Sequence, residues 1–414
     1  MAQLPLGDPA PKDGLLPSSV LEHQDKSFHA YVHIPFCRVR CGYCDFNTYT
    51  ATELKGVNQD GFAAHLIEEI RFSARVLTES GFAPKSLTSV FFGGGTPTQL
   101  PASDLAAILA ELLATFGIQS GSDGLPAAEI TTEANPDNVD LEYLRALKAA
   151  GFTRVSFGMQ SAVASVLKTL DRSHTPERVP LVVEWAKQVG LQTSVDLIYG
   201  APGESISDWQ ASIDAALSYE TDHISAYSLI VEPGTKLARQ IASGALAEPD
   251  EDEQATKYEL ADAAFNAAGM TWYEVSNWSK SDQTQSAHNL SYWQSKNWWG
   301  YGPGAHSHIG GVRWWNQKHP ASYVAPLANG MSPALGRETL DSRTQLEEHV
   351  LLMIRTRQGL PIQVLKDLNV FDPKLIAGLI ADQLIDAGLA MRGTIQLTQN
   401  GRLLADSVIR TLIA

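Results

Sequence analysis

His33-Ile34-Pro35-Phe36-Cys37-Arg38-Val39-Arg40-Cys41-Gly42-Tyr43-Cys44-Asp45-Phe46 holds every cysteine of the 414-residue chain. Three thiols in a CxxxCxxC loop, with none elsewhere, point to a metal centre. Thiolates are soft ligands suited to iron–sulfur clusters and zinc. Structural zinc closes a tetrahedron with four ligands, and clusters in electron carriers also take four cysteines. With three available, a cubane cluster on Cys37, Cys41 and Cys44 keeps one iron open to another ligand. A zinc site completed by a histidine, with His33 near, is the competing reading. A disulfide with a spare thiol would need an oxidising compartment. The first residues lack a basic start followed by an apolar core, so they do not read as an export signal.

Outward from the loop, Tyr31–Phe36 is a short apolar strand stopped by Pro35. A second apolar strand, Val90-Phe91-Phe92, runs into Gly93-Gly94-Gly95-Thr96-Pro97-Thr98. Glycines there let backbone N–H groups approach a ligand closely, because no Cβ stands in the way. A triple glycine alone is a weak signal. Beside the CxxxCxxC loop, it makes the chain resemble the radical S-adenosylmethionine (SAM) superfamily. The resemblance implies a [4Fe–4S] cluster on the three cysteines, SAM on the open iron, and a glycine loop against its methionyl group.

Composition bounds the rest. A hydrophobic content of 44% is ample for large cores, and the length suggests two domains. No apolar run approaches the roughly 20 residues a membrane helix needs. A formal net charge of −15 argues against a broad phosphate-binding surface, so nucleic acid is not an expected partner. Reduced cysteines without targeting signals lead to a cytoplasmic expectation.

Strand patterns at 30–34, 89–92, 129–133, 154–157, 193–198 and 223–229 alternate with amphipathic stretches at 61–76, 102–116, 141–150, 176–189 and 207–217. Six β/α units in series predict a parallel sheet with active residues at the C-terminal strand ends. Periodicity alone also allows a doubly wound sheet; the resemblance implies a partial (β/α)6 barrel. Polar residues gather at those ends: Thr132-Glu133-Ala134-Asn135-Pro136, Ser156–Ser161 followed by Leu170-Asp171-Arg172-Ser173-His174, and Asp196–Gly203. Singly, Glu133 reads as a helix cap, Arg172 as a solvated charge and Asp196 as a turn residue. Jointly they would face one rim and hydrogen-bond a polar ligand. These stretches resemble the coproporphyrinogen dehydrogenase-like branch of the superfamily, from about Tyr31 to the C-terminus. In that branch the residues matching Tyr31, Gly94, Gly95, Thr96, Glu133, Gln160, Arg172 and Asp196 surround SAM.

Four regions are expected: a loose arm (1–27), the barrel (28–240), a β-rich aromatic cap (241–341) and a small winged-helix-like helical domain (342–414). Glu248-Pro249-Asp250-Glu251-Asp252-Glu253 suits a helix N-terminus. Seven of the nine tryptophans fall between Trp272 and Trp315, beside His288, His306 and His308, which would suit a flat apolar ligand as well as a packed cap. His288-Asn289-Leu290-Ser291-Tyr292-Trp293 matches the HNxxYW motif that the heme-chaperone family of the same branch associates with heme binding. A neutral imidazole ligates heme iron, so His288 is the candidate axial ligand; a histidine hydrogen-bonded in the cap is the plainer reading. In the tail, 350–354 and 375–387 read as helices, 391–397 as a hairpin wing and 401–412 as a last helix. The apolar stretch Pro373–Ala381 lacks the basic face of a DNA-recognition helix, so the unit reads as a lid or docking module.

Two functions follow from the resemblance. One is a heme chaperone that carries a cluster and SAM and delivers heme to apo-hemoproteins. That reading leaves open contact with a membrane through the acceptors, and a homodimer. The other is oxygen-independent coproporphyrinogen III dehydrogenase of porphyrin biosynthesis, in which a radical takes hydrogen from propionate side chains. The dehydrogenase motif continues as CxxxCxxCxC, but Phe46 occupies the extra position here. The dehydrogenase also has a longer segment before its cluster loop. With HNxxYW present, both points favour the chaperone and a scaffold that binds SAM without dehydrogenase activity.

Overall fold

The computed structural model describes residues 7–23, 25–54, 57–120 and 128–413. A two-residue strand, β1 (Asp8–Pro9), begins it. The barrel strands are β2 (Phe28–Ile34), β3 (Leu87–Gly94), β4 (Glu129–Ala134), β5 (Arg154–Gln160), β6 (Gln192–Tyr199) and β7 (His223–Ser228). Each is parallel to its predecessor, in chain order. Helices cover one face: α1 (Phe62–Glu79), α2 (Ala102–Phe116), α3 (Leu141–Ala150), α4 (Ala164–Thr169), α5 (Arg178–Gln188) and α6 (Ile206–Ser218). Sequential parallel order makes this a singly wound barrel and excludes the doubly wound alternative.

Two periodicities explain the layering. In β2, Phe28, Ala30, Val32 and Ile34 are buried apolar residues, while the alternate His29, Tyr31 and His33 take the other face. The helices bury the complementary stripe, as Leu144 and Leu147 do in α3. That helix starts where Asp140 accepts the Tyr143 N–H at 2.8 Å and stops at Gly151, whose φ is 105°.

The aromatic segment is β-rich but lies within the sheet instead of above it. After α7 (Lys236–Ala242) and α8 (Glu251–Ala267), β8 (Thr271–Glu274) and β9 (Asn277–Ser279) add antiparallel strands beyond β7. The chain then crosses through α9 (Ala287–Trp293) to the opposite edge, where β10 (Trp298–Tyr301) runs parallel to β2. An antiparallel meander follows: β11 (His306–Ile309), β12 (Val312–Asn316) and, after α10 (Pro320–Leu327), β13 (Ala334–Thr339). β1 pairs with β13, completing thirteen strands. Both barrel edges thus gain partners, as open strand edges require. Five of the seven clustered tryptophans, Trp272, Trp278, Trp299, Trp314 and Trp315, are buried as the core of these extensions.

The expected loose arm is corrected from residue 7 onward: β1 pairs in the sheet, and Leu16 and Val20 are buried. Residues 1–6 and 24 of that arm lie outside the described residues. The C-terminal unit has its own core around Val350, Ile354, Leu365, Ile395 and Val408. Its elements are α11 (Ser342–Met353), β14 (Leu360–Pro361), α12 (Ile362–Asp367), α13 (Pro373–Ala381), α14 (Ala387–Met391), β15 (Thr394–Ile395), α15 (Gln399–Leu403) and α16 (Ala405–Ile413). The helix expected over 375–387 stops at Ala381, and a separate one starts at Ala387. The wing strand β15 pairs with the distant β14, not with a hairpin partner, and the last helix breaks at Leu404. The unit docks on α8 through a two-pronged Arg402–Asp262 pair at 2.7 and 3.0 Å. No helix among the described residues is long and apolar enough to cross a membrane.

Candidate cofactor site at the barrel mouth

Inward-facing residues of successive strands converge on a cavity of about 370 Å³ that also takes in Cys37, Cys41 and Cys44. The sequence reading singled out strand tips, Ser156 among them; the structure adds the deeper alternate positions Thr131, Arg154, Ser194, His223 and Ser225. Their signal was legible as polar residues at every second position of otherwise apolar strands.

At β4, Glu133 accepts the Gly94 N–H at 3.2 Å, and burial pushes its carboxyl up to about 8, with the nearby Asp196 charge adding to the effect. Asp196 at β6 accepts the Ser156 hydroxyl at 2.9 Å, and its pKa is likewise raised by burial. Two carboxyls thus face one cavity with no direct ion pair among the described residues, the Arg172 charge acting on Asp196 from a distance, a setting that a ligand's hydroxyl or amino donors would relieve. Gln160 adopts φ 63° where the β5–β6 register shifts, which turns its side chain into the cavity. Arg172 donates to the Gly158 carbonyl at 2.9 Å and to the Cys41 Sγ at 3.4 Å, while its Nε has no partner.

The glycine loop is used differently from the expectation. Its N–H groups are spent inside the protein: Gly94 on Glu133, Gly95 on the Ile34 carbonyl at 2.8 Å, Thr96 on the Phe36 carbonyl at 2.8 Å. A Cβ at Gly95 would stand 2.6 Å from the Phe36 oxygen, so this glycine permits the close approach of two strand ends. Gly94, Gly95 and Thr96 still line the cavity. Tyr31, half-buried next to Glu133, pairs its hydroxyl with His33 Nδ1 at 3.0 Å.

His33 Nε2 is also engaged, by the Asn47 carbonyl at 2.9 Å, so the histidine-completed zinc site loses its fourth ligand. Burial pushes the Cys44 thiol up to about 12 and raises that of Cys37, so both keep their protons until a metal displaces them. Among the described residues no three His, Cys, Asp or Glu side chains converge on a single ion. Three thiols spread along one wall, facing acids and an Arg with an unpaired nitrogen, fit a multi-iron cluster and a polar zwitterionic ligand such as SAM.

His288 lies inside the protein. It is 1% exposed, with Nδ1 on Ser89 Oγ at 2.7 Å and Nε2 on the Tyr292 hydroxyl at 2.8 Å. Its ring stacks on Phe91 at 5.2 Å. One nitrogen donates and the other accepts in these bonds, and burial disfavours the charged imidazolium. The HNxxYW helix is a strut whose first turn is anchored by Glu129, which accepts the Ala287 N–H at 2.7 Å and pairs with the buried Arg154. Ser286 and Asn289 reach the barrel cavity from this helix.

Comparison with known proteins places these features. A model of the radical SAM superfamily matches residues 31–216. The heme chaperone HemW of Mycobacterium tuberculosis is 45% identical over 93% of this chain and 95% of its own length. HemW of Bacillus subtilis is 32% identical over 92% and 97%. The mitochondrial radical SAM domain-containing protein 1 of Danio rerio is 32% identical over 80% and 74%. The solved structure of Escherichia coli coproporphyrinogen III oxidase (HemN) shares the fold, with a TM-score of 0.79 at 23% identity over 96% of this chain and 92% of that one.

Proposed function

The chain belongs to the HemW family, in the HemN/HemW branch of the radical SAM superfamily, and on that premise we propose that it binds heme and delivers it to apo-hemoproteins. A [4Fe–4S] cluster and SAM at the barrel mouth belong to the same reading. The match with a relative named heme chaperone HemW along nearly the full length of both chains carries it. Cys37, Cys41 and Cys44 would hold the cluster, with Arg172 beside Cys41 offsetting thiolate charge. Glu133, Gln160 and Asp196 would receive the polar groups of SAM. A cluster with SAM at its open iron supplies one-electron chemistry.

Against the dehydrogenase stands Phe46, 59% exposed on the cavity rim where that motif has a further cysteine. An open rim shields a reactive propionate intermediate poorly from water. The test is an anaerobic reconstitution assayed side by side for heme binding and for coproporphyrinogen III conversion. Stoichiometric heme with a Soret band and no protoporphyrinogen is expected. Robust conversion with negligible heme affinity would replace the chaperone reading by the dehydrogenase.

A further inference from the structure

The cysteine loop follows β2, the first barrel strand, yet its middle is held by segments far along the chain. The Gly42 carbonyl, between the second and third cysteines, accepts the Leu237 N–H at 2.8 Å. Leu237 belongs to the first turn of α7, which follows the last barrel strand and is capped by Thr235, whose hydroxyl accepts the Ala238 N–H at 3.1 Å. The Leu237 side chain is buried with Val166, Leu170, Ile198 and Leu229, and Tyr43 of the cysteine loop packs against the same cluster. One small apolar core thus joins the loop to α4, β6 and α7.

A polar tie lies beside it. Lys236, next to Leu237, donates to both carboxylate oxygens of Asp171 at 2.8 Å. That carboxylate rests on the loop itself: a Cβ at Gly42 would stand 2.5 Å from the Asp171 Oδ2. Asp171 holds a φ of 54°, a left-handed conformation that asparagine and aspartate adopt at little cost. The neighbouring Arg172 reaches the Cys41 Sγ. Asp171 and Arg172 therefore touch the loop at Gly42 and at Cys41, and Lys236 fixes the first of these contacts from α7.

Lys236 is half-exposed, so its ion pair with Asp171 adds little to the stability of the whole fold. Its place over the loop gives it a different effect. Three thiols can hold a cluster tightly only if the loop that carries them is ordered beforehand, because the entropy of ordering it otherwise opposes binding. The Cys37 end is ordered by its own N–H, which donates to the Tyr49 carbonyl at 3.0 Å. The arm with Cys41 and Cys44 gains the same order from Asp171 and α7.

We propose that Asp171 and Lys236 are positioning residues that latch the Cys41–Cys44 arm in place, so that retention of the cluster depends on an ion pair that touches no iron. The proposal rests on the cluster reading above and names what holds its binding loop ready. The test reconstitutes the full chain and its variants anaerobically and follows iron release to an excess of the ferrous chelator bathophenanthroline disulfonate. Lys236→Met and Asp171→Asn should each release iron about fivefold faster or more, while thermal melts of the metal-free proteins match the parent. Lys236→Arg should restore the parental rate, and the double variant should release iron no faster than either single one. Parental release rates in both single variants would overturn the latch and leave the cluster reading standing. Additive effects in the double variant, or melts that fall together with retention, would also overturn it, because the residues would then act separately or through the fold. A parent chain that takes up no stoichiometric iron and sulfide would overturn the cluster reading itself.

Discussion

Glu133 holds its proton to about pH 8 in the folded protein, against an ordinary value of 4.5. The folded state therefore binds more protons than the unfolded one between those limits, and this contribution to stability falls as pH rises through the window. Glu133→Gln removes the ionisation, so the SAM-free variant should be more stable than the parent above about pH 8 in thermal melts. Equal or lower stability there would contradict the buried-acid account. The same variant should bind SAM about tenfold more weakly, since a charge-assisted hydrogen bond contributes roughly 1.5–3 kcal/mol; calorimetry reads this directly. His288 yields a different expectation. His288→Ala strands the Tyr292 hydroxyl and leaves Ser89 only its His29 partner at 2.8 Å, which should cost about 2 kcal/mol of stability in urea titrations. Unchanged stability would contradict the buried hydrogen bonds, and a shifted heme Soret band in the same variant would mark the imidazole as an iron ligand. That the cysteines belong to the cavity was legible because all three thiols of a 414-residue chain fall in one loop. The surroundings of His288 were not legible, because a motif shows which side chain is present but not which partners its nitrogens meet.

Among the elements, α2 and α3 have the bounds that helical periodicity predicts, and all six barrel strands appear within a few residues of their expected places. The failures involve distant partners. β15 pairs with β14 some thirty residues earlier, which local alternation cannot reveal. The last helix breaks at Leu404 after Gly401, which packs so tightly that a Cβ there would meet the Leu384 oxygen at 1.9 Å. Helix α1 carries a buried anchor for the added strands. Its Glu69 accepts the Gly302 N–H at 2.7 Å, the Tyr323 hydroxyl at 2.6 Å and the Asn316 amide at 2.7 Å. Glu69→Ala leaves three buried donors unsatisfied and should cost about 3 kcal/mol or more. A loss below about 1 kcal/mol in chemical denaturation would show that the edge is held by packing alone. In the cluster loop, Cys41→Ala leaves two thiols, so anaerobic iron and sulfide analysis should show heavy loss. Full cluster content in that variant would overturn the three-cysteine assignment.

Across the whole molecule, the sheet organises two separate cavities, the barrel mouth and one of about 1100 Å³ between the β10–β13 edge and α11. Helix α9 touches both, through Ser286, at its N-cap, and Asn289 on the barrel side and Tyr292 on the other. The aromatic segment was legible as β-rich but not as two edges of one sheet, because crossing from β9 to β10 is a property of topology and leaves no local pattern. The larger cavity escaped the sequence for the same reason: His349 and Trp298 lie on elements that only the fold brings to one space. On the function proposed above, the molecule holds heme for transfer to an acceptor. The most direct test of that claim loads the full chain with heme and mixes it with increasing amounts of an apo-b-type cytochrome, following both Soret bands over time. The account predicts that heme moves to the acceptor at a rate that grows with acceptor concentration. Heme retained by the chain, or lost at a rate indifferent to the acceptor, would contradict it.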